Sequence, residues 1–353
     1  MDANAALQAR IAEAKQRQEQ GQVTKVAAAS KAAQKILTPE ELAENFGKIP
    51  DLLSVDIDEA DHIIIYGDSG SGKTTLAGLL AEFYNILWFD GDKGLKALKN
   101  NLHPEMLKRI KPIRIPDNTA NPLMVHTMLK VVTGRQCNIC IAHGAVDCMH
   151  CKSNSDAAIV TVALNNLPKN WIVVMDSQTQ FFYSTLALCY YKVTGKTGGD
   201  VDDFWRGVKD EMFAYWGAAR NIVEKFGNYV KDLNCCFISI SHTMMTEMED
   251  KTKKLVPVGG SENASMNYAK YFGTEIHAKV LNMKHVYYSS TTASTSIQTK
   301  SRANVALEKE PIPSLLHVLR PQDAKELLVG SYNEWFFSKR DKPMPFPKEV
   351  LEP

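Results

Sequence analysis

Residues Gly67 to Thr74 read Gly-Asp-Ser-Gly-Ser-Gly-Lys-Thr, and the apolar run His62-Ile-Ile-Ile-Tyr66 leads straight into them. No other stretch of the 353 residues constrains the fold as much. A glycine-rich turn of this kind works only between a buried strand and a helix. The segment Thr74-Thr-Leu-Ala-Gly-Leu-Leu-Ala81 supplies the helix pattern. In such a turn the backbone N–H groups close around phosphate oxygens, so Gly67, Asp68, Ser69, Gly70, Ser71, Gly72 and Thr75 form the expected cradle. Lys73 reaches the β- and γ-phosphates, and Thr74 holds Mg2+. The expectation is a site for ATP with Mg2+.

From Leu52 onward apolar runs and helical patterns alternate, which implies an α/β fold with a mainly parallel central sheet flanked by helices. Strands are expected at His62 to Tyr66, Ile86 to Phe89, Ile110 to Ile115, Trp171 to Met175 and Cys236 to Ile240. Helices are expected near 95–102, 122–132 and 157–167, followed by a long helical stretch to about Leu233. Ligands of such sheets bind where the strands end, which selects the candidate chemistry. Asp176 closes an apolar strand and is the expected carboxylate for Mg2+. Asp90 and Asp92 follow the strand at 85–89; one of them could polarise the attacking water, although Asp-Gly-Asp-Lys-Gly is also good turn chemistry. His242 follows the strand at 236–240 and could touch the γ-phosphate or serve as a core histidine.

The order of these pieces resembles the RecA-type recombinase core. They are the phosphate loop, Trp88-Phe-Asp-Gly-Asp92, Val174-Met-Asp-Ser177, His242, then Gly259-Gly260-Ser and Asn267-Tyr268-Ala-Lys-Tyr271. The pattern is most similar to the compact phage RecA-like ATPases, a group that includes single-strand annealing proteins, and it covers roughly residues 55–310. The resemblance implies a glutamate as the water-activating residue where this chain has Asp92, one methylene shorter. It also implies that the loop from Met244 to Asn267 touches single-stranded DNA, and that Lys300 and Arg302 reach a neighbouring subunit's γ-phosphate in a homo-oligomer with ATP sites between subunits. Independently of the family, Lys251, Lys253 and Lys254 in that glycine-bearing stretch form a candidate phosphate-contact patch.

Between the third strand and Trp171 lies Cys137-x2-Cys140 followed by Cys148-x2-Cys151, with His143 and His150 available as substitutes. Two thiolate pairs at this spacing suit a closed, structural Zn2+ site in an insertion at 133–156. Seven cysteines with four so clustered fit a metal site in a reducing compartment better than a disulfide framework.

Residues 1–50 read as a helical arm with a sparse apolar stripe, 51–310 as the ATPase core, and 311–353 as a proline-rich tail with one helix at 322–328. Residues 246–265 read as a long mobile loop. Lys plus Arg (41) and Asp plus Glu (40) nearly cancel, so no global basic field announces nucleic acid. No apolar run approaches the roughly 20 residues needed to cross a bilayer, and the N-terminus lacks a secretory pattern, so the expected location is cytoplasmic, in the host cell if a phage encodes the chain. The favoured reading is an ATP-hydrolysing protein acting on single-stranded DNA in recombination, annealing or replication, with a replication or recombination protein as a possible partner. The alternative is a nucleotide-switched adaptor or loader that hydrolyses ATP poorly.

Overall fold

The structure, a computed structural model, describes residues 60–148, 151, 158–194, 212–247, 251–290 and 296–351. The expected N-terminal arm lies outside these residues. Seven strands form the main path of the central sheet: β1 (His62–Gly67), β2 (Asn85–Asp90), β3 (Ile110–Arg114), β7 (Trp171–Asp176), β8 (Phe237–Ser241), β11 (Thr274–Leu281) and β12 (Lys284–Tyr288). Their spatial order is β12-β11-β1-β8-β7-β2-β3, and the short β13 (Lys300–Ser301) pairs with β11. Every pairing from β11 to β3 is parallel, while β12 and β13 run antiparallel to β11. Strand β8 therefore separates the strand that enters the phosphate loop from the strand that ends at Asp176.

Side chains alternate across these strands with period two, and both faces are covered. Ile64, Leu87, Phe89, Val173 and Met175 point into one apolar layer, completed by α4 (Leu123–Val131), α5 (Gln178–Thr194) and α6 (Met212–Lys231). Ile63, Ile65, Ile86, Trp88, Ile172 and Val174 point into the other. That layer includes α1 (Lys73–Gly78), α2 (Leu95–Asn101) and α3 (Pro104–Arg109). A strand apolar on both faces is what a doubly covered parallel sheet requires, and each fully buried isoleucine contributes about 1.5–3 kcal/mol.

The segment from Pro311 belongs to the second layer. Helices α8 (Leu316–Leu319), α9 (Ala324–Leu328) and α10 (Tyr332–Ser338) bury Leu316, Val318, Ala324, Leu328, Tyr332 and Phe336 in the same cluster as Leu76 and Leu79. One carboxylate fixes this packing. Fully buried Glu82 accepts from the backbone N–H groups of Tyr332 (2.6 Å) and Asn333 (2.9 Å) and from the Asn333 amide (2.7 Å).

Two expectations change. The helix expected near 157–167 is a strand, β6 (Ile159–Val162), followed by a 3-10 turn at Leu164–Asn166, because Ile-Val-Thr-Val is a β-branched run that pairs with β4 (Cys137–Cys140). With β5 (Ala145–Val146) these make a small antiparallel sheet in the order β5-β4-β6. The expected loop at 246–265 is instead a hairpin of β9 (Thr243–Glu247) and β10 (Lys253–Pro257), followed by α7 (Glu262–Tyr268). Thr246 and Val256 anchor that hairpin by burial, and the Leu255 N–H donates to the Ser296 carbonyl.

Candidate nucleotide site and candidate metal centre

The phosphate loop leaves β1 at Gly67 and enters α1 at Lys73. Gly72 sits at φ 91°, in the left-handed region, and a Cβ there would stand 2.7 Å from the Tyr287 hydroxyl and 2.9 Å from His285 Nδ1. Only glycine fits both the backbone and the hairpin pressed against it. No side chain caps the start of α1, which leaves its N–H groups for an anion. Lys73 is buried, and its ammonium donates to the carbonyls of Gly67 and Asp68, each at 2.7 Å, with Ser71 Oγ at 3.5 Å. Burial draws the Lys73 pKa down, against the pull of Asp176, Asp68 and Asp92. Ser69 and Gly70 are exposed, and Thr75 is half-buried.

Three carboxylates gather at the strand ends, where β2 and β7 lie in parallel register with Asp90 opposite Asp176. Thr74 Oγ1 donates to Asp176 Oδ2 at 3.1 Å. Burial, then the charges of Asp92 and Asp90, lift the Asp176 carboxyl to about 7, although Thr74 and Lys73 oppose this. A hydroxyl and a carboxylate this close, in a surplus of negative charge, are the oxygen donors a hard divalent cation takes, so Thr74 and Asp176 fit Mg2+. Gly94 makes room: a Cβ there would lie 2.5 Å from Asp176 Oδ2.

The two other aspartates differ. Asp90 is buried and its Oδ1 accepts from the Gly94 N–H at 3.0 Å, closing the turn. Asp92 stands 44% exposed with Oδ2 3.4 Å from His242 Nε2. His242 is itself pinned, its N–H donating to Thr179 Oγ1 (2.8 Å) and its carbonyl accepting from the Val258 N–H (3.0 Å). Lys73, Thr74, Asp92, Asp176 and His242 thus come together, while Asp90 serves the turn. Thr179 was missed in the sequence; its only signal is its place three residues after Asp176.

The remaining candidates lie elsewhere. Lys300 opposes Glu275 in β11, which pairs with Ile64 near the start of β1, so it stands away from its own phosphate loop. Its ammonium donates to the Ala269 carbonyl, and burial lowers its pKa although Glu275 raises it. Arg302 packs against Gly273, whose Cβ would lie 3.0 Å from Arg302 Cδ. Lys251 and Lys253 are exposed at the far end of the β9–β10 hairpin, whereas Lys254 is half-buried. The hairpin is tied to the residue before the phosphate loop, since the Tyr66 hydroxyl donates to the Leu255 carbonyl at 3.1 Å.

Among the described residues one group of metal-type ligands converges: Cys140, His143, Cys148 and Cys151, with donor atoms all within 4.8 Å of one another. Cys140 Sγ lies 3.3 Å from Cys151 Sγ, and His143 Nδ1 lies 3.3–3.5 Å from the three sulfurs. This corrects the expected four-cysteine set. Cys137 and Cys140 share strand β4 three residues apart, and an odd separation on a strand sends side chains to opposite faces. Cys137 therefore packs on the apolar layer, and His143, from the turn after β4, completes the set. Three thiols and an imidazole are a closed donor set of the kind structural zinc takes. The other substitute, His150, lies outside the described residues.

A phosphate loop after the first strand, oxygen donors for a metal on a strand two places away, and a polar side chain ending the strand between them define a P-loop ATPase built on a RecA-like parallel sheet. The profile of the AAA domain family AAA_24 matches residues 59–302, more than half of the chain, and the chain belongs to that family. No curated protein matches it. Among the described residues no helix is long and apolar enough to cross a membrane.

Proposed function

We propose that this ATPase acts on single-stranded DNA in recombination, annealing or replication of the phage type, as a homo-oligomer with ATP sites between subunits. The observation that carries the reading is the covalent continuity between the metal-side pocket and the lysine hairpin. His242 holds Asp92 at 3.4 Å, and β9 begins at the next residue, Thr243. A γ-phosphate near Lys73 would compete with Asp92 for His242, and any shift there passes directly into β9. The far end of that hairpin carries exposed Lys251 and Lys253, which suit phosphate contacts. The position of Lys300 and Arg302 away from their own phosphate loop accords with a role toward a neighbouring subunit.

We also assign a structural Zn2+ to Cys140, His143, Cys148 and Cys151, whose donor set and convergence support it. A second reading, the nucleotide-switched adaptor, draws support from Asp92. It carries the shorter carboxylate and is already engaged by His242, which disfavours rapid activation of water.

Fluorescence anisotropy of a labelled oligothymidine, with and without MgATP, tests the first reading. ATP should tighten binding, and DNA should tighten ATP by the same factor. Replacing Lys251, Lys253 and Lys254 with Ala should reduce the magnitude of the log affinity against log salt slope by about 1.4, at about 0.7 for each of the two exposed lysines. DNA affinity that ignores ATP refutes the DNA reading and leaves the adaptor.

A further inference from the structure

A cavity of about 760 Å3 opens beside the phosphate loop, on its own side of the molecule. One wall is Gly70 to Thr75, a second is the β11–β12 hairpin from Met283 to Tyr287, and a third comes from the C-terminal segment through Phe336, Phe337 and Arg340. Its volume lies within the roughly 300–1,000 Å3 of small-molecule sites. The chemistry of the loop fixes which part of a nucleotide can enter. Lys73 and the Thr74–Asp176 pair take the β- and γ-phosphates with the metal, so the nucleoside must leave the loop on the side away from Asp176. None of Asp90, Asp92, Asp176 and His242 lines this cavity.

The C-terminal wall is already shaped for a flat ring. The Arg340 guanidinium lies 3.7 Å from the centroid of the Phe336 ring, and its Nε–H donates to the Phe336 carbonyl at 2.8 Å. The guanidinium is thereby held as a plate at the cavity rim, and arginine planes stack on aromatic faces. The Phe337 ring meets Phe336 edge-on at 5.2 Å and Tyr287 of the hairpin at 6.3 Å. Two separate pieces of chain are thus joined by aromatic contacts around one hollow. Residues 336–340 lie beyond the stretch matched by the family profile, which ends at residue 302.

We propose that the base and ribose of the nucleoside triphosphate occupy this cavity, and that the C-terminal segment holds them in cis through Arg340 and Phe337. The inference rests on nucleotide binding at the phosphate loop, and the experiment separates the two. Calorimetry on the full chain with Mg2+ compares ATP with inorganic triphosphate, for the wild type and for Arg340→Ala, Phe337→Ala and Lys73→Ala.

ATP should bind the wild type at least roughly tenfold tighter than triphosphate, as stacking of one base supplies. Arg340→Ala and Phe337→Ala should each erase most of that advantage while leaving triphosphate affinity within about twofold. Lys73→Ala should weaken both ligands. Arg340 is exposed, so its variant remains decisive if Phe337→Ala melts early. Wild-type ATP affinity in Arg340→Ala, or an equal loss of ATP and triphosphate, overturns the inference. Undiminished ATP binding by Lys73→Ala overturns the phosphate-loop reading instead.

Discussion

Metal binding at Asp176 should depend steeply on pH, in a direction set by the charges around it. Burial and the neighbouring Asp92 and Asp90 hold this carboxyl at about 7 against an ordinary 3.8, and a divalent cation binds the ionised form only. At about pH 8 roughly nine-tenths of the group is ionised, and at about pH 6 a little under one-tenth, so metal affinity should fall about tenfold between them. Asp92→Asn removes the largest charge contribution to the rise, so its profile should move to lower pH. The assay is Mn2+ titrated into nucleotide-free protein and followed by its paramagnetic resonance signal, which keeps the titration of ATP itself out of the result. The same shift has a stability consequence without metal. The folded state retains a proton that the unfolded chain releases between 3.8 and about 7, so this group's contribution to stability falls as pH rises through that window. The gap corresponds to about 4 kcal/mol. Asp176→Asn should therefore raise the melting temperature more at high pH than at low pH. Metal affinity equal at both pH values, together with a stability gain that does not change with pH, would refute the reasoning.

Lys73→Ala should bind nucleotide poorly and turn it over at least roughly a hundredfold more slowly while melting normally, checked by steady-state phosphate release. Asp92→Asn should slow hydrolysis yet bind ATP, whereas Asp90→Asn should mainly loosen the turn at Gly94 and lower the melting temperature; a reversed pattern makes Asp90 the water-activating carboxylate. Elemental analysis should find about one zinc per chain, lost in the Cys148→Ser, Cys151→Ser double variant and in His143→Ala but retained in Cys137→Ser. Glu82→Ala leaves the donors of Tyr332 and Asn333 unsatisfied at about 1–3 kcal/mol each, so denaturant unfolding should show a loss of at least about 3 kcal/mol, with new protease cuts after Lys339.

The parts of this molecule that were legible in its sequence are those whose signal is contiguous. The phosphate loop carries its own strand and helix, and the strands ending at Asp90, Asp176 and Ser241 are short apolar runs that stop at polar residues. What escaped depends on parity and on distant partners. Membership of Cys137 in the metal set turns on whether residues 137–140 form a turn or a strand, and spacing alone does not decide that. The β9–β10 hairpin hid behind its polar and charged surroundings, because few of its residues are buried: Thr246 in β9, and Val256 and Pro257 in β10. Prolines after residue 311 suggested a tail, yet Leu315, Leu316, Tyr332 and Phe336 are core residues. Glu82 was the overlooked clue. A lone carboxylate within the apolar run Leu79-Leu-Ala-Glu-Phe83 must find buried donors, and these come from a segment some 250 residues away.

The family match ends at residue 302, but the apolar layer over the phosphate-loop helix does not. Leu76, Leu79 and Leu80 are covered by residues from Leu315 onward, so a polypeptide cut at the end of the match would expose an oily helix face and a carboxylate without its donors. The unit of kinship and the unit of folding are therefore different lengths in this chain. Any relative reduced to the shared stretch must find another cover for that face, from its own sequence or from the subunit beside it.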